Sequence, residues 1–210
     1  MPGRTAHSSA DTPSPDCHTG AMEAMTDREQ RVDQIRRAAI PVFASQGFKR
    51  TSMADLAEAA GVSRPALYQY FDNRADLFRE ALQIILVEAT DAALAALRGD
   101  GLVAERIDGY LQRLVADGYE TLYGMAFATE FLEAKHEFAA DVSDAELERG
   151  RDGLRAFIAN QTQASPATRK AAAELVLLSP AGLKADWPQP EVYRKRLTTL
   201  ATAAALLLDT

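Results

Sequence analysis

The stretch from Thr51 to Arg74, TSMADLAEAAGVSRPALYQYFDNR, restricts the fold more than any other part of the chain. Its cap and stop signals are spaced too closely for anything but short helices joined by tight turns. Thr51 and Ser52 offer an N-cap, and Asp55 stands at the capping-box position relative to Ser52. A short helix is expected from there to Ala60. Gly61 suits the left-handed residue that closes a helix, and Ser63 can cap the next one. Pro65 is tolerated in a first turn, where its missing N–H would have been unpaired anyway. A further helix is expected from Arg64 to about Phe71, and Asn73 then caps a long one through Leu97. Two short helices around a glycine turn can present the second of them to a DNA groove.

Around this unit the chain reads as all-α. Ala and Leu are common, and long stretches carry no proline. Before it, Val32, Ile35, Ala39, Val42 and Phe43 recur at helical spacing until Gly47, which predicts a helix over 27–46. Pro41 falls inside that helix and is expected to kink it or end it early. After Gly99-Asp100-Gly101, helices are expected near 102–119, 121–135, 138–162, 166–185 and 189–209. Residues 1–26 mix Pro, Ser, Thr and Gly without periodicity and read as a disordered tail. The expected organisation is therefore a tail over 1–26, a helix-turn-helix domain over 27–73 and a larger helical domain over 74–210.

Charge, cysteine usage and hydropathy narrow the function classes. The formal net charge is -7 at pH 7, which argues against non-specific binding to polyanions. The acidic excess lies mainly beyond residue 80, however, while residues 27–80 are slightly basic. Cys17 is the single cysteine, so no intrachain disulfide forms and a reducing compartment is expected. No apolar run reaches the roughly 18 residues of a membrane span, and the first residues lack a signal-peptide core. A soluble, cytoplasmic protein is expected.

The residues Met53-Ala54-Asp55-Leu56-Ala57-Glu58-Ala59-Ala60-Gly61-Val62-Ser63, Leu67-Tyr68-Gln69-Tyr70-Phe71 and Leu77-Phe78 closely resemble the DNA-binding region of the TetR (tetracycline-repressor) family of bacterial transcription regulators. The specific resemblance covers about residues 30–80. It implies a homodimer with two helix-turn-helix heads and with C-terminal bodies that bind a ligand and dimerise. By that resemblance Arg64, Pro65, Ala66 and Gln69 face base edges. Arg64 suits guanine, Gln69 suits adenine, and Pro65 or Ala66 suits a thymine methyl. Thr51, Ser63, Tyr68, Tyr70 and Arg74 are then expected on phosphates, fixing register without reading sequence. Periodicity alone leaves a second reading open, in which the exposed face of this helix is merely solvated.

In the body, Tyr119, Tyr123, Phe127 and Phe131 recur every four residues, with Tyr110 and Glu130 nearby. The stripe fits either packed core or the wall of a cavity for an apolar or aromatic small molecule. By resemblance the effector site lies among the helices between Arg74 and Asn160. Glu133 and His136 have i, i+3 metal-ligand spacing but lack the second pair a di-metal bundle needs. No metal or other cofactor is expected.

The apolar stripes Leu175, Val176, Leu178, Leu183 and Val192, Leu197, Leu200, Ala201, Ala204, Leu207, Leu208 give the last two helices a candidate four-helix dimer interface, the alternative being burial within one chain. The expected partners are thus double-stranded operator DNA, a small-molecule effector and a second copy. No G-x-S-x-G, P-loop, G-x-G-x-x-G or H-E-x-x-H motif supports an enzyme. The expected function is a ligand-responsive regulator, a repressor released from a pseudo-palindromic operator by its effector. A helical adaptor using the same motif as a protein contact is the competing class.

Overall fold

The computed structural model describes residues 26–161 and 163–209. The tail expected over 1–26, with Cys17 and the histidines at 7 and 18, lies outside the described residues except for Thr26. All regular structure among the described residues is helical, as the composition requires. No helix among them is long and apolar enough to cross a membrane.

Helix α1, Asp27–Gln46, begins on a capping box in which Thr26 and Glu29 satisfy each other's backbone N–H groups. Ile35, Ala39 and Phe43 form its buried stripe. The early stop expected at Pro41 does not occur, since the helix runs on to Gln46 and ends at Gly47, at φ 79°. Pro41 is exposed, so its ring meets no packed neighbour, and the stripe on either side of it keeps the helix together after one lost backbone bond.

Helix α2, Met53–Ala59, starts on the Ser52–Asp55 capping box. It ends in a Schellman turn, with the Gly61 N–H donating to Glu58 O at 3.1 Å and the Val62 N–H to Ala57 O at 3.0 Å. Gly61 takes φ 65°, the left-handed value that this turn demands. Helix α3 is only Arg64–Leu67, shorter than expected. Beyond Leu67 the chain tightens into i to i+3 bonds, Gln69 N–H to Ala66 O at 3.1 Å and Tyr70 N–H to Leu67 O at 3.0 Å, so the predicted helical span is kept as turns.

Helix α4, Arg74–Arg98, follows the Asn73 cap. The helix expected at 102–119 is α5, Val103–Leu111, a π-helical segment Gln112–Ala116 and α6, Asp117–Tyr123. The helices expected at 121–135 and 138–162 are one run, α7, Ala128–Ala159, interrupted by non-helical backbone at Ala139 (φ -143°, ψ 23°). Helices α8, Pro166–Leu183, and α9, Pro190–Leu208, complete the body.

Two buried clusters organise the packing. One joins α1–α3 through Ile35, Phe43, Leu56, Leu67 and Phe71 to Leu77, Phe78 and Leu82 of α4. The other gathers α5, α8, α9 and the far end of α7 around Tyr110, Leu154, Val176 and Tyr193, and takes Ala93 and Leu97 from α4. Helix α4 is therefore a single rod with one end in each core. Helix α7 also reaches both, through Ala134 and Ala139 on the head side and Leu154 and Ile158 on the body side.

Candidate nucleic-acid interface and effector cavity

The tight turn at Gly61 and the fully buried Leu67 fix how α3 leaves the head. Leu67 and Phe71, 0% and 3% exposed, point inward, which turns Arg64, Pro65 and Gln69 outward into solvent. Ala66 is half-buried beside them. Tyr68 is 45% exposed, and the Arg64 guanidinium lies 5.7 Å from its ring centroid. The Ser63 hydroxyl accepts the Ala66 N–H at 3.2 Å, a capping role that does not use its own O–H as a donor. Tyr70 is half-buried against the head core, with Arg28 5.8 Å from its ring centroid. The structure thus brings Ser63, Arg64, Pro65, Ala66, Tyr68, Gln69 and Tyr70 onto or beside one exposed turn.

Two expected phosphate contacts sit differently. Thr51 is 0% exposed, and its hydroxyl donates to Gly47 O at 2.8 Å, so its side chain is spent on closing the α1–α2 loop and faces no phosphate. Arg74 is half-buried. Its Nη1 donates to Lys49 O at 3.0 Å and Thr51 O at 2.7 Å, and the guanidinium lies 4.3 Å from the Phe48 ring centroid. A cation in this setting shapes the same loop before it meets any anion.

The aromatic stripe does not form one wall. Four-residue spacing makes a face only along a continuous helix, and α6 stops at Tyr123 before α7 restarts at Ala128. Phe127, at φ -120° and ψ 35°, is the non-helical residue between them. Tyr119 and Tyr123 consequently turn to the body. Tyr119 Oη donates to Pro188 O at 2.6 Å, its ring centroid is 4.7 Å from that of Tyr193, and Tyr123 stacks on Trp187 at 5.8 Å.

Phe127, Glu130 and Phe131 turn to the head. The Arg50 guanidinium lies 4.4 Å from the Phe127 ring centroid, Phe131 meets Phe78 edge-on at 5.3 Å, and Glu130 Oε1 accepts the Lys49 N–H. A Lys49–Glu133 ion pair at 3.3 Å adds to this contact.

Of the six residues proposed for the pocket, Tyr110 alone lines a partly open cavity in the body. That cavity is about 150 Å³. Its walls are Leu111, Leu114, Val115, Leu147, Val176, Leu177, Pro180 and Tyr193, with Arg151 and Lys184 as its charged members. Tyr193 Oη donates to Pro180 O at 3.1 Å, and burial pushes this phenol up to about 12. Tyr110 is 1% exposed, and its buried hydroxyl has no hydrogen-bond partner. Burial pushes its phenol well above the ordinary range, against the opposing charges of Arg151 and Arg155.

Gly150 makes room for this hydroxyl. A Cβ there would lie 3.2 Å from Leu114 Cδ2 and 3.5 Å from Tyr110 Oη. Sequence reasoning missed Arg151, Lys184 and Gly150, which belong to helices far from Tyr110 in the chain. The one local signal is a glycine inside a helical pattern, which marks close approach. A second, open groove of about 690 Å³ lies between α7 and α8, lined by Arg151, Arg155, Arg169 and Lys170 among others.

The stripe of α9 is largely consumed within the chain, because Leu197, Leu200, Ala201, Ala204 and Leu208 are buried against the body core. The apolar groups left outward are Leu178, Val192, Leu206 and Leu207, with Leu178 and Leu206 at 72% and 64% exposure. Between them on α9, Thr199 and Thr202 donate back to their own helix, at 3.0 Å to Lys195 O and 2.9 Å to Thr198 O.

A family model described as bacterial regulatory proteins, tetR family, matches residues 35–81. Over 132 residues the chain is 32% identical to the HTH-type transcriptional regulator TtgR of Pseudomonas putida, covering 60% of this chain and 59% of that protein. Over 109 residues it is 28% identical to the HTH-type transcriptional activator FasR of Mycolicibacterium smegmatis, covering 49% and 50%. The matches thus span about half to three-fifths of these curated relatives' lengths. Both relatives are described as regulators of transcription. In fold, the chain is similar to a protein of Mesorhizobium loti described as a TetR-family transcriptional regulator, with a TM-score of 0.64 at 19% identity, over 88% of this chain and 97% of that one.

Proposed function

Residues 35–81 match the tetR family of bacterial regulatory proteins, and from that premise we propose that the chain is a cytoplasmic, ligand-responsive repressor that binds a pseudo-palindromic operator as a homodimer. The observation that carries the DNA reading is the outward cluster Arg64, Pro65, Gln69 and Tyr68 on a turn locked by Leu67 and Gly61. Arg64, Pro65, Ala66 and Gln69 read base edges, while Ser63, Tyr68 and Tyr70 hold phosphates. Arg74 and Thr51 serve the interface indirectly, by fixing the loop that precedes α2.

The homodimer forms through the outward faces of α8 and α9. Leu178, Val192, Leu206 and the self-satisfied threonines present a surface that loses little on desolvation. Two-fold symmetry then sets two copies of α3 about one DNA turn apart.

Release is coupled along the elements shared by both cores. Helix α4 runs from the head core to the body core, and α7 grips the head loop through Glu130 and Glu133. An effector that favours one arrangement of the body shifts the angle of α4 and α7, and with it the spacing of the heads.

Selection of bound sites from random DNA tests the reading directly. An inverted repeat with half-sites about one helical turn apart is expected, with affinity falling steeply as salt rises. Recovery of no common sequence, or affinity indifferent to salt, refutes it and leaves the adaptor class. A promoter fusion that is silenced by the protein, and restored by its effector, tests the direction of the response.

A further inference from the structure

A buried phenol with no partner is costly, because water can no longer serve it. Tyr110 is such a group, and it stands on the wall of the partly open body cavity. Gly150 and Leu114 border the hydroxyl, and Leu114 is itself part of the cavity wall, so the hydroxyl lies against the cavity lining. The charged residues on the cavity wall are Arg151 and Lys184, with no carboxylate among the lining residues. That is an unusual local balance in a chain of net charge -7.

Arg151 makes a 3.3 Å contact to Glu148 Oε2, and its charge is felt at the Tyr110 phenol. Lys184 is exposed at the C-terminal end of α8. The remaining wall is Leu, Val, Ala and Pro, together with Tyr193, whose hydroxyl is already engaged by Pro180 O. An apolar cavity of about 150 Å³ takes a molecule of roughly benzene size.

From this arrangement we propose that the cavity binds a compact apolar monocarboxylate, its carboxylate accepting the Tyr110 Oη–H and facing Arg151 and Lys184 while its hydrocarbon body fills the Leu and Val wall. The proposal rests on the reading that the body holds an effector and names the chemical class of that effector. A donor-only or cationic ligand leaves the phenol unpaired or meets Arg151 and Lys184 with the wrong sign. A neutral hydrocarbon of the same shape fills the wall but does nothing for the hydroxyl. Selectivity of this kind, for a group that satisfies an otherwise unpaired buried donor, is strong in general.

The test is calorimetric titration of the full chain, without DNA, using benzoate, cyclohexanecarboxylate and hexanoate against benzamide, toluene and hexanol. At least one acid is expected to bind about tenfold more tightly than its neutral counterpart, the increment of one charge-assisted hydrogen bond. Tyr110→Phe removes the acceptor's partner and should weaken that acid about tenfold, while raising the melting temperature of the ligand-free protein because an unpaired group is gone. Lys184→Gln should weaken the acid and flatten its salt dependence. Gly150→Ala, which narrows the space beside the hydroxyl, should weaken all ligands alike.

Equal affinity for acids and neutral counterparts, no acid binding at all, or unchanged acid affinity in Tyr110→Phe overturns the proposal. Because the titration is read without DNA, failure of the acid preference counts against this ligand class even where operator binding stands. Acid binding with the stated Tyr110 dependence supports it even where no operator release follows.

Discussion

Replacing Arg74 by alanine separates two roles for one cation. The residue was expected on a phosphate, yet its guanidinium bridges Lys49 O and Thr51 O and covers the Phe48 ring. Hydrogen bonds from a charged donor contribute about 1.5–3 kcal/mol each; half-exposure argues for the low end here, and the ring contact adds about 0.5–1 kcal/mol. Loss of these contacts, softened by hydration of the freed carbonyls, gives an expected destabilisation of about 2–3 kcal/mol. At about 2–4 °C per kcal/mol for a chain of this size, the melting temperature should fall by about 4–12 °C. Arg74→Lys keeps the charge but cannot bridge two carbonyls in one plane, so it should recover only part of the loss. Calorimetry gives the stability. Fluorescence anisotropy on the selected operator, repeated across salt concentrations, gives the number of phosphates neutralised. A structural Arg74 lowers affinity for every sequence and leaves the salt slope unchanged. An unchanged melting temperature with a slope reduced by about 1 would refute this account and return Arg74 to the phosphate backbone.

Gly61→Ala meets no steric obstacle, since a Cβ there has nothing within 4 Å; its cost of about 1–2 kcal/mol is purely that of a left-handed backbone at φ 65°, and Gly61→Asn should cost less on chemical denaturation. Glu130→Ala removes the acceptor of the Lys49 N–H and should lower stability by about 1–2 kcal/mol while weakening the effect of ligand on operator affinity; undiminished ligand response in the anisotropy assay would show that the head is coupled elsewhere. The carboxyls of Asp55, Asp141 and Asp186 are held below the ordinary range by the backbone N–H of Ser52, by Arg79 and by Arg196 respectively. The unfolded chain therefore binds more protons than the folded one, so this stabilisation is complete above about pH 4 and is lost as pH falls through the lower folded values. Asp141→Asn should make the acid limb of the melting-temperature profile shallower.

Which features were legible in the sequence depends on the range of the interaction that makes them. Caps and turns are local, so Ser52, Ser63 and Asn73 announced the starts of α2–α4, and Gly61 the turn after α2, within a residue or so, whereas α3 ends about four residues before the expected Phe71. The outward face of α3 was equally readable, because Leu67 and Phe71 can anchor it in only one orientation. Pro41 misled because the penalty of a helix proline is local, whereas what holds α1 is the packing of Ile35, Ala39 and Phe43 against α2 and α4.

The pocket was less legible for a physical reason that Tyr119, Tyr123, Phe127 and Phe131 make plain. Periodicity reports a face only where one helix persists, and the sequence GMAF between α6 and α7 contains no proline to reveal the break. Gly124 marked a bend in the sequence, but it ends α6 at φ -81° and ψ -8°, an ordinary right-handed conformation that any residue adopts, so the glycine alone did not tell a bend from a full break. Once the break is placed there, the stripe divides by necessity. Residues before it follow α6 into the Tyr193 and Trp187 cluster, and residues after it follow α7 onto the Phe78 ring and the Lys49 loop. The second half thereby gains a task that a cavity wall would not have, since Glu130 and Glu133 tie the start of α7 to the loop from which α2 departs. At its other end the same helix carries Arg151 to the cavity wall and Gly150 to the Tyr110 hydroxyl. A ligand that moves that end must either carry the head loop with it or bend α7 at Ala139, where non-helical backbone already interrupts the rod. Ala139→Gly, which loosens that interruption without a clash, should weaken the ligand response if α7 acts as a rigid lever and leave it intact if the interruption already serves as a hinge.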